Sequence, residues 1–377
     1  MNNSLPRPPL AGIRVVDFST LLPGPMCSLL LAQAGAEVIK IERPGRGDEM
    51  RSYVPKFGDD SVNFALLNLG KRSLALDLKN PADVRQAVEL VRCADVLIEQ
   101  FRPGVMDRLG LGYEAMRALN PGLVYCAITG WGQDGPLADV AAHDLNYQSE
   151  AGVLGLTAGA DGSPGLPSLL SADIAGGAYP AMMNILLALR ARDARGQGQY
   201  IDVAMADNMF TFLYWGLGEG FATGQWPRPG TGLIVGGTPR YQVYRTSDGR
   251  FLACAPLEQK FWENFVRVIG APQLLDDSAD PQGVREAVAA IMAGRTAAEW
   301  LQRFEGVDAC VSLVKSLEEA VQSPQFRHRG VFEARLGSNE GTTIPALPLP
   351  ISPALRAAGA AQQSPALGEG NRDLLKS

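Results

Sequence analysis

Between residues 13 and 129, short β-branched runs alternate with apolar helical stretches, and no other feature of the chain restricts its fold as strongly. Residues 13–18 (IRVVDF) read as a strand, closed by Ser19-Thr20 and then Leu-Leu-Pro-Gly-Pro. An apolar helix follows over residues 26–34, stopped by Gly35, and residues 37–42 form the next strand; together they predict a βαβ unit. The pattern repeats with a strand over 73–78, a helix over 81–93 and a strand over 96–100. A helix over 113–119 and a strand over 123–129 complete it. Parallel strands need crossover connections of this kind, so the segment predicts a parallel sheet wrapped by helices, an α/β fold.

The middle of the chain differs. From Asp173 a small-residue start leads into a long apolar helix ending between Arg190 and Arg195, and residues 199–203 return as a strand. Residues 208–224 read as one apolar, aromatic helix. Gly and Pro then crowd residues 224–239, which predicts a domain boundary there. Beyond it, residues 241–244 and 251–255 flank Ser-Asp-Gly, a hairpin signal, and helical segments fill residues 258–325. The Pro/Ala-rich stretch 345–364 reads as an extended strap.

A length of 377 residues fits two domains better than one. A net charge of −6 provides no broad footprint for nucleic acid, so an anionic ligand needs a local basic cluster. The five cysteines lie scattered with no C-x-x-C spacing, which predicts free thiols in a reducing compartment. The first residues, MNNSLPRPPLAG, hold no apolar core of a signal peptide. Charge, Gly or Pro interrupts every apolar stretch before ~18 residues, which predicts no membrane span. A cytoplasmic protein is expected.

Familiar nucleotide and hydrolase motifs are missing. No G-x-G-x-x-G follows the strand at Val15, no Walker A loop occurs, and Ser163 does not stand in G-x-S-x-G. The only histidines are His143 and His328, which excludes a multi-histidine metal site. Three segments carry chemistry. In A-H-D-L-N-Y, His143 suits proton transfer near neutrality, or packs near a helix start. In A-D-I-A-G-G, Asp173 reads either as a helix N-cap or as a reactive carboxylate, with glycines behind it that admit a ligand. In P-L-E-Q-K-F-W, Glu258 opens a helix, where it either complements the dipole or serves a site.

Longer runs carry a family resemblance. P-L-A-G-I-R-V-V-D-F-S-T-L-L-P-G-P near the start, G-A-E-V-I-K-I-E-R-P-G-R-G-D at 35–48 and L-G-K-R-S-L-A-L-D-L-K at 69–79 resemble class III coenzyme A transferases. So do E-Q-F-R-P-G at 99–104, I-T-G-W-G-Q-D-G-P at 128–136, G-Q-G-Q-Y-I-D-V-A-M at 196–205 and P-A-L-G-E-G at 365–370. The resemblance implies a Rossmann-like large domain built from both chain ends, a smaller α+β domain and an interlocked homodimer. Its parts are then residues 1–224, a small domain at 225–330, and a return to the large domain at 331–377. It places coenzyme A against Arg43, Leu74, Gln100, Phe101 and Arg108, with the thioester directed toward Asp173. Arg46, Lys71, Arg72 and Arg102 add local positive charge for the phosphates. No cofactor beyond the coenzyme A of an acyl-CoA substrate is implied, and no metal, nucleic acid or membrane partner.

The superfamily also holds α-methylacyl-CoA racemases, and the chemical positions resemble that branch more closely. Transferases commonly carry a longer glycine run where this chain has only Gly236-Gly237. Racemases carry counterparts of His143, Asp173 and Glu258, implying His143 and Asp173 as opposed acid/base groups and Glu258 as partner of the imidazole. Backbone N–H groups at the helix start near Asp173 are then expected to hold the enolate oxygen. The alternative is a transferase that uses Asp173 as a nucleophile. Ala172 and the pair Ala141-Ala142 depart from the glycines expected there, which bears on the acyl pocket rather than on the reaction.

Overall fold

Six strands form one wholly parallel sheet: β1 (Arg14–Asp17), β2 (Glu37–Glu42), β3 (Arg72–Ala75), β4 (Val96–Glu99), β5 (Val124–Thr129) and β6 (Tyr200–Ala204). Their order is β3-β2-β1-β4-β5-β6, the doubly wound order with its switch point between β1 and β4. The structure, a computed structural model, describes residues 7–157, 162–357 and 363–375. Val16, Ile39, Leu74, Leu97 and Tyr125 share one face of the sheet with Ala87 and Val91 of α2 (Pro81–Arg92) and Met116 of α3 (Tyr113–Leu119). The opposite face takes α1 (Pro23–Gln33) and a long helix near residue 180. Burial on both faces explains why these strands read as continuous apolar runs. Each such fully buried aliphatic side chain contributes roughly 1.5–3 kcal/mol.

Helix α1 begins at Pro23, three residues before the expected start, and Pro23–Ala32 are all buried. Proline costs nothing in a first turn, whose N–H groups have no helical partner. The long helix is divided. Residues Ala172–Ala178 form a π-helix that continues as α5 (Tyr179–Arg195), after α4 (Asp144–Glu150). Pro180 has no N–H for the Gly176 carbonyl, which accepts instead from Asn208 Nδ2 at 2.7 Å. Against the sequence expectation, Ala172–Arg195 is by length and composition apolar enough to cross a membrane. The run closes only at its arginines, because Gly and Pro lie inside the helix without breaking it. Ala181, Ile185, Ala188 and Leu189 bury one side of it, while Tyr179, Met183, Leu186 and Leu187 leave an apolar row exposed.

The chain forms two compact units, one of residues 1–151, 168–211 and 328–377, the other of 152–167 and 212–327. Their division falls at 211/212 rather than at 224, and 152–167 join the second unit. The expected helix over 208–224 is three pieces: α6 (Met205–Met209), a 3-10 turn (Phe210–Leu213) and α7 (Tyr214–Thr223). Residues of α7 pack within the second unit, where Phe221 meets Trp226 edge-on. That unit holds an antiparallel sheet of β7 (Gln242–Arg245), β8 (Phe251–Cys254) and β9 (Val311–Leu313), with β8 central. Trp262 and Phe265 of α8 (Gln259–Val268) pack with Trp300 and Phe304 of a later helix in its core.

In the first unit the C-terminal segment closes on edge strand β3. Asn371 accepts from the Ala75 N–H at 2.8 Å and donates to the Ala75 carbonyl at 3.0 Å, pairing as a further strand residue does. Of the expected strap, residues 343–357 form a short strand and a 3-10 turn, and 358–362 lie outside the described residues.

Candidate active site

The doubly wound order predicts a ligand crevice at the carboxyl ends of β1 and β4. A cavity of about 420 Å³ opens there, lined by Leu21 after β1, Phe101 after β4, Gly130 after β5, and by His143, Tyr147 and Asp173. The sequence brings His143 and Asp173 into one cavity of the first unit.

His143 stands at the N-cap of α4 and is exposed. Its loop is fastened on both sides. Trp131 donates from Nε1 to the Val140 carbonyl at 3.0 Å, and Tyr147 donates from its hydroxyl to the Ala142 carbonyl at 3.0 Å. Asn146 Oδ1 accepts from the His143 N–H at 3.0 Å. Trp131 and Tyr147 meet edge to face, 4.9 Å between centroids. Gly130 makes room for this arrangement, since a Cβ there would lie 2.2 Å from the Tyr147 ring.

Asp173 is not the helix cap; Ser171 holds that position. The Asp173 N–H donates to Asp144 Oδ1 at 3.0 Å, and Asp144, buried, also accepts from Gln148 Nε2 at 2.5 Å. Burial pushes the Asp173 carboxyl up to about 6, the charge of Asp144 adds to the rise, and His143 works against it. A carboxyl poised there exchanges protons readily near neutral pH. Two expectations fail. The N–H groups of Asp173 and Ile174 are taken, by Asp144 and by the Leu170 carbonyl, so neither is open to an enolate oxygen. Gly176 and Gly177 are buried, not open to a ligand; a Cβ on Gly176 would lie 2.5 Å from the Met205 carbonyl oxygen.

Glu258 belongs to the second unit. It is exposed at the N-cap of α8 and makes no side-chain capping bond. Among the expected coenzyme A contacts, Gln100 and Phe101 line the cavity. Gln100 Oε1 also accepts from the Gly24 N–H at 3.0 Å, which ties β4 to the first turn of α1. Arg43 and Arg46 line a larger cavity of about 1080 Å³ in the same unit and, with exposed Arg102 and Arg108, make no ion pair among the described residues. Leu74 is a correction: it is wholly buried in the core, because its strand packs under α2, and presents no surface to a ligand. Lys71 is buried against Asp17, and Arg72 pairs with Glu37 and Asp373, so neither supplies free charge.

Sequence reasoning missed Asp144, although it adjoins His143, and Glu99. Burial raises the Glu99 carboxyl to about 7, against the Phe101 N–H that donates to it at 2.8 Å, and Asp107 and Asp202 add to the rise. A polar residue ending a buried strand was the available signal.

Residues 10–371 match CoA-transferase family III. The chain is 36% identical to alpha-methylacyl-CoA racemase of Homo sapiens, over 97% of this chain and 92% of that one. It is also 36% identical to acetyl-CoA:oxalate CoA-transferase of Acetobacter aceti, over 92% of this chain and 90% of the relative. A CAIB/BAIF family protein from Brucella suis has the same fold, with TM-score 0.82 and 28% identity over 97% of this chain and 98% of that one. Matched along nearly its whole length, this chain is an enzyme of the CoA-transferase family III.

Proposed function

We propose that the enzyme racemises the 2-position of a 2-methylacyl-CoA, with His143 and Asp173 as the two acid/base groups. One observation carries this reading: both side chains open into one cavity at the switch point, and the Asp173 carboxyl lies near 6. In one direction the Asp173 carboxylate takes the proton from C2, the C2–H electron pair passes into the thioester as an enolate, and the imidazolium of His143 protonates C2 from the other face. The reverse direction exchanges the roles. Each group is worth roughly 10²–10⁴ in rate. Coenzyme A is the only cofactor moiety this chemistry needs. The exposed apolar row of α5 supports a homodimer.

Incubation with (R)- or (S)-2-methylacyl-CoA in deuterium oxide, without an acceptor acid, tests the reaction. Deuterium at C2 together with loss of optical purity is expected. No exchange, with coenzyme A passed to an added carboxylate, would replace this reading by the second one. The oxalate CoA-transferase relative, at equal identity to the racemase, favours that second reading, in which Asp173 is the nucleophile.

A further inference from the structure

The loop between β1 and α1 occupies the place where dinucleotide-binding folds carry their glycine fingerprint. Here it is built otherwise. Pro23 and Pro25 supply no N–H, and the Gly24 N–H is held by Gln100, so the first turn of α1 offers no phosphate cradle. Instead the loop turns two leucines toward the cavity, Leu21 and Leu22.

Leu21 adopts φ +62°, and Cys310 is the only other non-glycine residue with positive φ among the described residues. A residue with a Cβ occupies that region only when its surroundings impose it. The imposing group is Asp48, 1% exposed, whose two carboxylate oxygens each accept from the Leu21 N–H at 3.2 Å. Asp48 is itself fixed by Lys40, 2.9 Å away with both side chains wholly buried, and by the Met50 N–H at 3.0 Å. The flanks of the loop are tied as well. Lys40 donates to the Ser19 carbonyl at 2.7 Å and Lys71 to the Pro25 carbonyl at 2.9 Å. Asp17 accepts from the Ser19 N–H at 2.9 Å and lies 3.6 Å from Lys71. Four buried charges thus serve one short loop.

We infer that Leu21 is a specificity-determining residue for the acyl group and that Asp48 is its positioning residue, holding it in the left-handed conformation that sets its side chain in the cavity wall. The inference rests on the reading that the acyl thioester lies at His143 and Asp173. Leu21→Ala then widens the wall, whereas Asp48→Asn releases the loop.

The test compares 2-methylpropanoyl-CoA with 2-methyldecanoyl-CoA, by C2 deuterium exchange or by transfer of coenzyme A, whichever the wild-type enzyme performs. The ratio of their kcat/KM values is expected to shift by roughly tenfold in L21A. In D48N that ratio is expected to collapse toward unity while kcat/KM for both falls about ten- to a hundredfold. A crystal structure of D48N should show Leu21 at negative φ. L21P removes the same N–H and forbids positive φ while leaving the Asp48–Lys40 pair intact; it should reproduce the kinetic result and takes the place of D48N if that variant does not fold. Unchanged ratios in L21A and L21P, or Leu21 still left-handed without the Asp48 carboxylate, overturn the inference. A wild-type enzyme that performs neither reaction overturns the functional reading instead, and the crystal structure then decides the conformational part alone.

Discussion

Asp144 accepts the backbone N–H of Asp173 at 3.0 Å and sets a second negative charge beside the carboxyl it holds. The bond fixes where Asp173 sits; the charge helps fix when it gives up its proton. Asp144→Asn keeps an acceptor for the N–H and removes the charge. The Asp173 carboxyl, now near 6, is then expected to titrate lower. In a pH profile of kcat/KM, the acidic limb should move toward lower pH in D144N. A profile that keeps its limb in place would show that Asp173 does not control it.

Asp173→Asn removes a proton carrier at almost constant volume, and His143→Ala removes the other. A fall of roughly 10²–10⁴ in the C2 exchange rate is expected for each. Thermal melts should stay close to wild type for H143A, whose imidazole is exposed, and at pH 8 should rise above it for D173N, which has no charge to bury where the carboxyl is raised to about 6.

Gly130→Ala places a methyl where the Tyr147 ring now lies, 2.2 Å from the ideal Cβ. The ring must move, and with it the bond from Tyr147 to the Ala142 carbonyl that fastens the His143 loop. Overpacking of this kind costs about 1–3 kcal/mol, readable by urea unfolding. Activity is expected to fall further than that loss of stability explains, because His143 is displaced.

Glu99 keeps its proton in the folded chain up to about 7, against an ordinary value of 4.5. A carboxyl with a raised folded value contributes its full stability below about 4.5, and the contribution is lost as the pH rises toward 7. Glu99→Gln retains an acceptor for the Phe101 N–H and has no charge to bury. It should match wild type at low pH and exceed it at pH 8 by up to roughly 3 kcal/mol in urea unfolding.

The exposed row of Tyr179, Met183, Leu186 and Leu187 on α5 predicts a self-association surface. Met183→Asp with Leu187→Asp should halve the mass read by light scattering. A wild-type protein already at the single-chain mass would remove this part of the proposal.

The α/β alternation was legible because a parallel sheet buried on both faces demands unbroken apolar strands such as 37–42 and 124–129. Strand order follows from no local pattern, and only the structure places β1 beside β4. His143 and Asp173 were visible as residue types suited to proton transfer, and the structure joins them in one cavity. The glycines behind Asp173 misled, since a glycine that packs against Met205 looks in sequence like one that admits a ligand. Leu74 came from the family resemblance alone, which carries no burial for this chain, and the structure puts it wholly in the core. Asp48 lay beyond reach because its bond to the Leu21 N–H joins the loop after β2 to the loop after β1, 27 residues apart, with no signature in either neighbourhood.

Asn371, paired with Ala75, gives the chain an order of completion. The first unit recruits residues from the beginning, the middle and the end of the chain, whereas the second draws only on 152–167 and 212–327. On the ribosome, which releases the chain from its N-terminus, every residue of the second unit has emerged before the last segment of the first. Edge strand β3 waits with its outer hydrogen-bonding groups open to mispairing until Asn371 arrives.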